Sequence, residues 1–205
     1  MKTFLFQGDS ITDAGRRRDE YGKDSYGYPT FVEGILGAKY PNAFDFINMG
    51  VSGNQARDLE ARWQTDVFDQ NPDWVCVLIG INDVCRQFDT PEIREGHVSP
   101  EAYEACYDGL IARTLPRVKG MVLMTPYFME PNRSDPMRAR MDEYGAIVKK
   151  LAAKYGLVCV DLQAGWDKLF EHMHPCSIAW DRIHPNQTGC MYIAKQFLAA
   201  TGFER

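Results

Sequence analysis

Five short apolar runs are spaced along the chain, with helical patterning between them: "KTFLFQ", "FDFINM", "WVCVLI", "GMVLM" and "LVCVD". That alternation constrains the fold more than any other feature. Runs of this length and composition fit buried strands. Between two of them, "QARDLEARWQTDVF" repeats apolar side chains at helical spacing, through Ala56, Leu59, Trp63 and Val67. Ser99-Pro100 and Asp135-Pro136 read as helix starts, each an N-cap residue followed by proline in the first turn. Gly156 and Gly202 read as helix stops. Strands alternating with helices predict an α/β fold, with one parallel sheet of about five strands covered by helices on both faces. The absence of repeats or low-complexity linkers predicts a single domain over residues 1–205.

Composition excludes some functions. With 45% hydrophobic and 25% charged residues, the chain matches an ordinary soluble domain. A net charge of -5 argues against nucleic acid as a partner, since such proteins favour a basic face. Arg16-Arg17-Arg18 is the one basic cluster and reads as a solvated loop. The apolar run after Lys2 is too short for a secretory signal, and no stretch approaches a membrane span. Cys76, Cys85, Cys106, Cys159, Cys176 and Cys190 show no paired spacing, so reduced thiols in a cytoplasmic protein are expected. A homo-oligomeric state is compatible with the sequence and not specified by it.

In open parallel sheets, ligands bind outside the carboxyl ends of the strands. The first strand runs into "GDSI", the second into "NMGVSGN", the third into "IGIND" and the fourth into "TPYFMEPNRSDP". Residues of catalytic type therefore collect at one edge of the predicted sheet. A serine hydroxyl becomes a nucleophile only when a neighbouring base takes its proton. The histidines available to Ser10 are His97, His172, His174 and His184, and His184 has a carboxylate three residues before it in "WDRIHPN". At that separation Asp181 can fold back onto one ring nitrogen of His184 and leave the other to face Ser10. Acyl transfer also needs donors for the developing oxyanion. The backbone N–H of Ser10, the backbone N–H of Gly53 and the side-chain amide of Asn82 are candidates.

"GDSI", "GVSGN", "GIND" and "DRIH" occur in the order of the four blocks of the SGNH hydrolases, the GDSL esterase family, which this chain resembles over nearly its whole length. The resemblance implies a flavodoxin-like three-layer α/β/α sandwich, with Ser10 as nucleophile, His184 as base and Asp181 as the acid that orients it. It also implies Gly53 and Asn82 in the oxyanion hole. The segments "ARWQTDV", "IGINDVCRQFD", "LMTPYFMEP", "DPMRARMDEYG" and "AWDRIHPN" look like the intracellular bacterial acetylxylan esterases of that family. The expected activity is removal of acetyl groups from acetylated xylo-oligosaccharides, without metal or organic cofactor. The alternative within the family is a lysophospholipase, thioesterase or general short-chain esterase. No serine lies in G-x-S-x-G, because "GVSGN" ends in Asn54, so the nucleophile elbow of the α/β-hydrolases is not used.

Other residues carry competing readings. Asp9 is expected to make structural hydrogen bonds; Asn82 has helix capping as its alternative, a role Asp83 could share or replace, and Asp83 is expected as structural support. With the histidines, the same pair would serve a metal-dependent phosphoesterase. "HMHPC" (His172, His174, Cys176) suggests a metal but lacks a second ligand group at zinc-site spacing. Trp180 is either an apolar wall for a sugar ring or a core residue; Trp63 falls on its helix's apolar stripe and is expected in the core. Tyr26 and Tyr28 follow the nucleophile loop and are weaker candidates for substrate contact. A carbohydrate-binding module without catalysis is the remaining rival.

Overall fold

The protein is described from a computed structural model over residues 1–15 and 25–203, and Arg16-Arg17-Arg18 lies outside the described residues. Five strands form one sheet: β1 (Lys2–Gly8), β2 (Phe44–Asn48), β3 (Trp74–Leu78), β4 (Gly120–Met124) and β5 (Val158–Val160). Their order is β2-β1-β3-β4-β5, and every pairing is parallel, with Phe4 opposite both Phe46 and Trp74. Phe4, Leu5 and Phe6 are all fully buried. Successive residues of a strand point to opposite faces, so both faces of the sheet are covered.

Among the described residues, eight α-helices supply the cover: α1 (Ser10–Asp13), α2 (Tyr28–Lys39), α3 (Ala56–Trp63), α4 (Ile81–Asp89), α5 (Pro100–Thr114), α6 (Pro136–Tyr155), α7 (Leu162–Leu169) and α8 (Gln187–Thr201). Helices α2 and α8 pack together, and Phe6 meets Tyr28 of α2 and Phe197 of α8. The other layer is built from α3, α5 and α6. The stripe Ala56, Leu59, Trp63, Val67 is buried as its spacing predicts, and Trp63 donates its indole N–H to Thr114 Oγ1 at 2.9 Å. That bond satisfies a polar group that would be costly if buried unpaired.

The helix signals act as expected. Ser99 accepts the Ala102 N–H, Asp135 accepts those of Met137 and Arg138, and Gly156 and Gly202 close α6 and α8 in left-handed conformations. All six cysteines are free thiols. Burial pushes the Cys85, Cys159 and Cys190 thiols up to about 11, as small hydrophobes rather than nucleophiles.

The strand order reverses at β1. The chain steps outward from β1 to β2 and then returns to place β3 on the other side. A crevice opens at such a reversal, above the carboxyl ends of β1 and β3. Ser10 and Asn82 lie just past those two ends.

Candidate active site

Ser10 opens α1 directly after β1. Asp9 makes the turn: its Oδ1 accepts the Ile11 N–H at 2.9 Å, and its carbonyl accepts the N–H groups of Thr12 and Asp13. This is an N-cap with a short polar side chain, the structural role expected of Asp9. Ser10 is thereby held between a buried strand and a helical turn.

His184 Nε2 lies 2.8 Å from Ser10 Oγ, and His184 Nδ1 lies 2.6 Å from Asp181 Oδ2. Asp181 Oδ1 accepts the backbone N–H groups of Ile183 and His184, each at 2.9 Å. One carboxylate thus shapes the turn and holds the ring it carries. Burial alone would raise the Asp181 carboxyl, but these bonds hold it below the usual carboxylate range. With Nδ1–H donating to Asp181, Nε2 is left to accept from the Ser10 hydroxyl.

The 181–184 turn is tied down from one side. The Met129 N–H donates to the Arg182 carbonyl at 2.9 Å, and Tyr127 Oη donates to the Ile183 carbonyl at 3.3 Å. The Arg182 guanidinium pairs with Glu130 and stacks 4.7 Å from the centre of the Phe128 ring. Arg182 has a φ of 64°, a left-handed conformation that costs a residue with a Cβ about 1–2 kcal/mol. Bonds to both its backbone and its side chain offset that strain. Neither Arg182 nor Glu130 announces this role in the sequence.

Asn82 meets the turn that carries Gly53 through a bond to Asn54. Gly53 has a φ of 83°, and a Cβ there would point into open space, so backbone conformation rather than crowding calls for glycine. Gly50 is the opposite case: a Cβ would sit 2.3 Å from the Asp13 nitrogen. Asn82 lies in the first turn of α4, not at a strand end, and its Nδ2 donates to the Asn54 carbonyl at 3.0 Å. A primary amide has two N–H donors, so the second remains for another acceptor. Asp83 accepts the Ala56 N–H at 3.0 Å and so anchors the start of α3 to α4, in the supporting role expected of it.

Asp9 and Asp83 are buried beneath these groups, and burial pushes both carboxyls up to about 7; the proximity of Asp83 raises Asp9 further. Asp9 Oδ2 has no hydrogen-bond partner.

Among the remaining candidates, Trp180 is 85% exposed beside Asp181, which removes core packing as an explanation for it. Tyr28 is fully buried in α2 and bonded to Thr12, so it is not a surface for substrate, while Tyr26 is exposed. His174 caps a short turn by accepting the Cys176 N–H, and among the described residues no group of three His, Cys, Asp or Glu side chains could hold a metal ion. A cleft of about 530 Å³ borders the triad turn, lined in part by Glu130, Asn132, Phe170, Met173 and Arg182.

A doubly covered parallel sheet with a Ser-His-Asp hydrogen-bonded chain at its switch point defines a class of α/β hydrolytic proteins. Residues 6–190 match the GDSL-like lipase/acylhydrolase family, and the chain belongs to it. It is 47% identical to an acetylxylan esterase from Geobacillus stearothermophilus, with 98% of this chain and 94% of that protein covered. A solved catalytic mutant of that esterase, a serine-to-alanine variant, superimposes with a TM-score of 0.95 at 45% identity, covering 98% of this chain and 94% of that one. An α/β hydrolase from the metagenome of Lake Arreo, Spain, superimposes with a TM-score of 0.96 at 49% identity, covering 100% of this chain and 96% of that one. The flavodoxin-like sandwich implied by the sequence is therefore the observed fold. No helix among the described residues is long and apolar enough to cross a membrane.

Proposed function

We propose that this protein is a cytoplasmic serine esterase that removes acetyl groups from acetylated xylo-oligosaccharides. The observation that carries the proposal is the continuous chain Ser10 Oγ–His184 Nε2 at 2.8 Å and His184 Nδ1–Asp181 Oδ2 at 2.6 Å. Ser10 attacks the acetyl carbonyl as His184 takes its proton, and Asp181 holds the ring in the tautomer that can accept it. His184 then returns the proton to the departing sugar hydroxyl. Water, deprotonated by the same ring, releases acetate from the acetyl-enzyme. The N–H groups of Ser10 and Gly53 and the free N–H of Asn82 receive the oxyanion.

The esterase from Geobacillus stearothermophilus supports these roles. Its solved catalytic mutants change a serine, an aspartate or a histidine to alanine. Its aspartate and histidine are three residues apart, as Asp181 and His184 are here. Trp180 offers an exposed indole face for a sugar ring beside the triad.

The test is acetate release from acetylated xylo-oligosaccharides, set against simple esters of increasing acyl length, with Ser10→Ala as control. Rapid, Ser10-dependent release from the sugar, with activity falling beyond acetyl, is the expected outcome. A preference for long acyl chains would overturn the substrate and keep the chemistry. Full activity in Ser10→Ala would overturn both.

A further inference from the structure

Arg62, in the last turn of α3, directs its guanidinium at the backbone at the ends of β1 and β2. Its Nη2 donates to the Gly8 carbonyl at 3.1 Å, its Nη1 to the Met49 carbonyl at 2.7 Å, and its Nε to Asn54 Oδ1 at 2.7 Å. Nη1 also reaches the Asp66 carboxylate one turn further along, which balances the charge. The side chain is 18% exposed. Gly8 stands two residues before Ser10, and Asn54 directly follows Gly53. The Asn54 carbonyl is also the acceptor for the Asn82 amide. One planar cation therefore touches the segment bearing the Ser10 N–H and the segment bearing the Gly53 N–H, and lies one bond removed from Asn82.

The near half of the 49–54 turn is already joined to β1 by backbone bonds, Met49 N–H to Phe6 and Val51 N–H to Gly8. The far half has no backbone bond to β1 among these and relies on side chains. Gly53 itself is left-handed; the Asn54 N–H donates to the Val51 carbonyl at 3.2 Å, and just before Gly53 the Ser52 N–H donates to Asp13 Oδ2 at 3.0 Å. Asp13 holds the far half at Ser52, and Arg62 and Asn82 hold it at Asn54, the residue next to the Gly53 N–H.

We propose that Arg62 is a positioning residue for the oxyanion site: it clamps the Gly53–Asn54 turn against the end of β1 so that the three donors converge on one point. The proposal rests on Ser10, Gly53 and Asn82 acting as those donors. Guanidinium is suited to this because its five N–H groups lie in a rigid plane and meet several acceptors at fixed angles. An ammonium at the same place is a point donor on a flexible stem. Donor placement matters because small displacements at a reacting centre, about 1 Å, can cost on the order of 10²-fold in rate.

The experiment compares Arg62→Lys, Arg62→Met and Asn54→Ala with the parent on an acetyl ester. Each variant's folded fraction is first established by thermal melting. For Arg62→Met we expect kcat to fall roughly 10- to 100-fold with KM changed by less than about threefold, because the lost geometry matters most in the transition state. Arg62→Lys is expected to fall between Arg62→Met and the parent. Inactivation by a p-nitrophenyl alkylphosphonate, read from the p-nitrophenolate burst, is expected to slow in parallel with kcat/KM, since phosphonylated Ser10 also places an oxygen among the donors. The pH at which activity is half-maximal is expected to stay put, because the Ser10–His184–Asp181 chain is untouched. In the double variant Arg62→Met/Asn54→Ala the losses are expected to be less than additive. Parent-like kcat and phosphonylation in folded Arg62→Met would overturn the proposal. If Arg62→Met does not fold, parent-like kcat in Asn54→Ala overturns it instead. Activity surviving Ser10→Ala would bring down the underlying reading; a dead Ser10→Ala beside a parent-like Arg62→Met would bring down this inference alone.

Discussion

The Asn82 side-chain amide donates to the Asn54 carbonyl at 3.0 Å, so one of its two N–H groups orients the other. The amide is fixed by the turn that follows β2 while its backbone belongs to the helix that follows β3. A donor locked in this way needs no reorganisation as charge develops on a substrate oxygen.

Asn82→Ala is accordingly expected to lower kcat by about 10²–10³-fold, or about 2.7–4 kcal/mol of transition-state stabilisation. KM is expected to change little. Steady-state kinetics on an acetyl ester check this, and a loss confined to KM would mean that Asn82 serves ground-state binding.

Asp181→Asn is expected to reduce kcat by about 10³–10⁴-fold while the fold persists, because an amide at that site favours the wrong tautomer of His184. The substitution also has a stability signature. The folded Asp181 carboxyl lies below its ordinary value of 3.8, so it stabilises the protein above that pH and loses this contribution as pH falls through the depressed value. Melting curves between about pH 5 and 3 should therefore show a shallower acid loss in the variant than in the parent.

Asp9 and Asp83 have the opposite sign. Burial holds each near 7 in the folded protein against an ordinary 3.8, so the folded state binds protons that the unfolded state has released. Stability from this source is complete below about pH 4 and declines as pH rises to about 7. Asn at both positions keeps an acceptor for the Ile11 and Ala56 N–H groups and cannot titrate. The melting temperature of Asp9→Asn/Asp83→Asn, measured relative to the parent, is expected to be higher at pH 8 than at pH 4. A constant difference across that range would show that neither carboxyl is held protonated.

Trp180→Ala removes an 85% exposed side chain, so its melting temperature is expected to be unchanged. If the indole supports a sugar ring, KM for an acetylated xylo-oligosaccharide should rise roughly threefold to tenfold, the equivalent of one aromatic contact of about 0.5–1.5 kcal/mol. KM for p-nitrophenyl acetate should stay the same. Equal changes for both substrates would remove the sugar from the account.

Much of this arrangement was legible along the chain. The five apolar runs become β1 to β5 within a residue or two at each end, because buried parallel strands require continuous apolar sequence. The caps at Ser99, Asp135, Gly156 and Gly202 were legible because capping is local chemistry. Ser10, Asp181 and His184 were legible because their neighbours in sequence form recognisable blocks. Trp63 and Trp180 divide the case: the first sits on a periodic stripe and is buried, whereas the second sits in a loop, where periodicity says nothing about exposure.

The residues that hold the site together were not legible. Arg62 lies in a polar position of an amphipathic helix, where arginine is ordinary, and its partners Gly8, Met49 and Asn54 are 54, 13 and 8 positions away. Arg182 adopts a left-handed conformation that its contacts with Met129, Glu130 and Phe128 stabilise. Asp83 was legible as structural support, but its partner, the Ala56 N–H of a different helix, was not.

The sequence by itself determined the elements, the sheet they form and the three side chains of the hydrogen-bonded chain, since strand formation, capping and short polar turns depend on neighbours within a few residues. The tertiary structure decided how those side chains are aimed: Ser10 and His184 meet at 2.8 Å across 174 positions only because β1 and the C-terminal turn are packed to the same edge of one sheet, and hydrogen-bond geometry between distant segments is a property of packing.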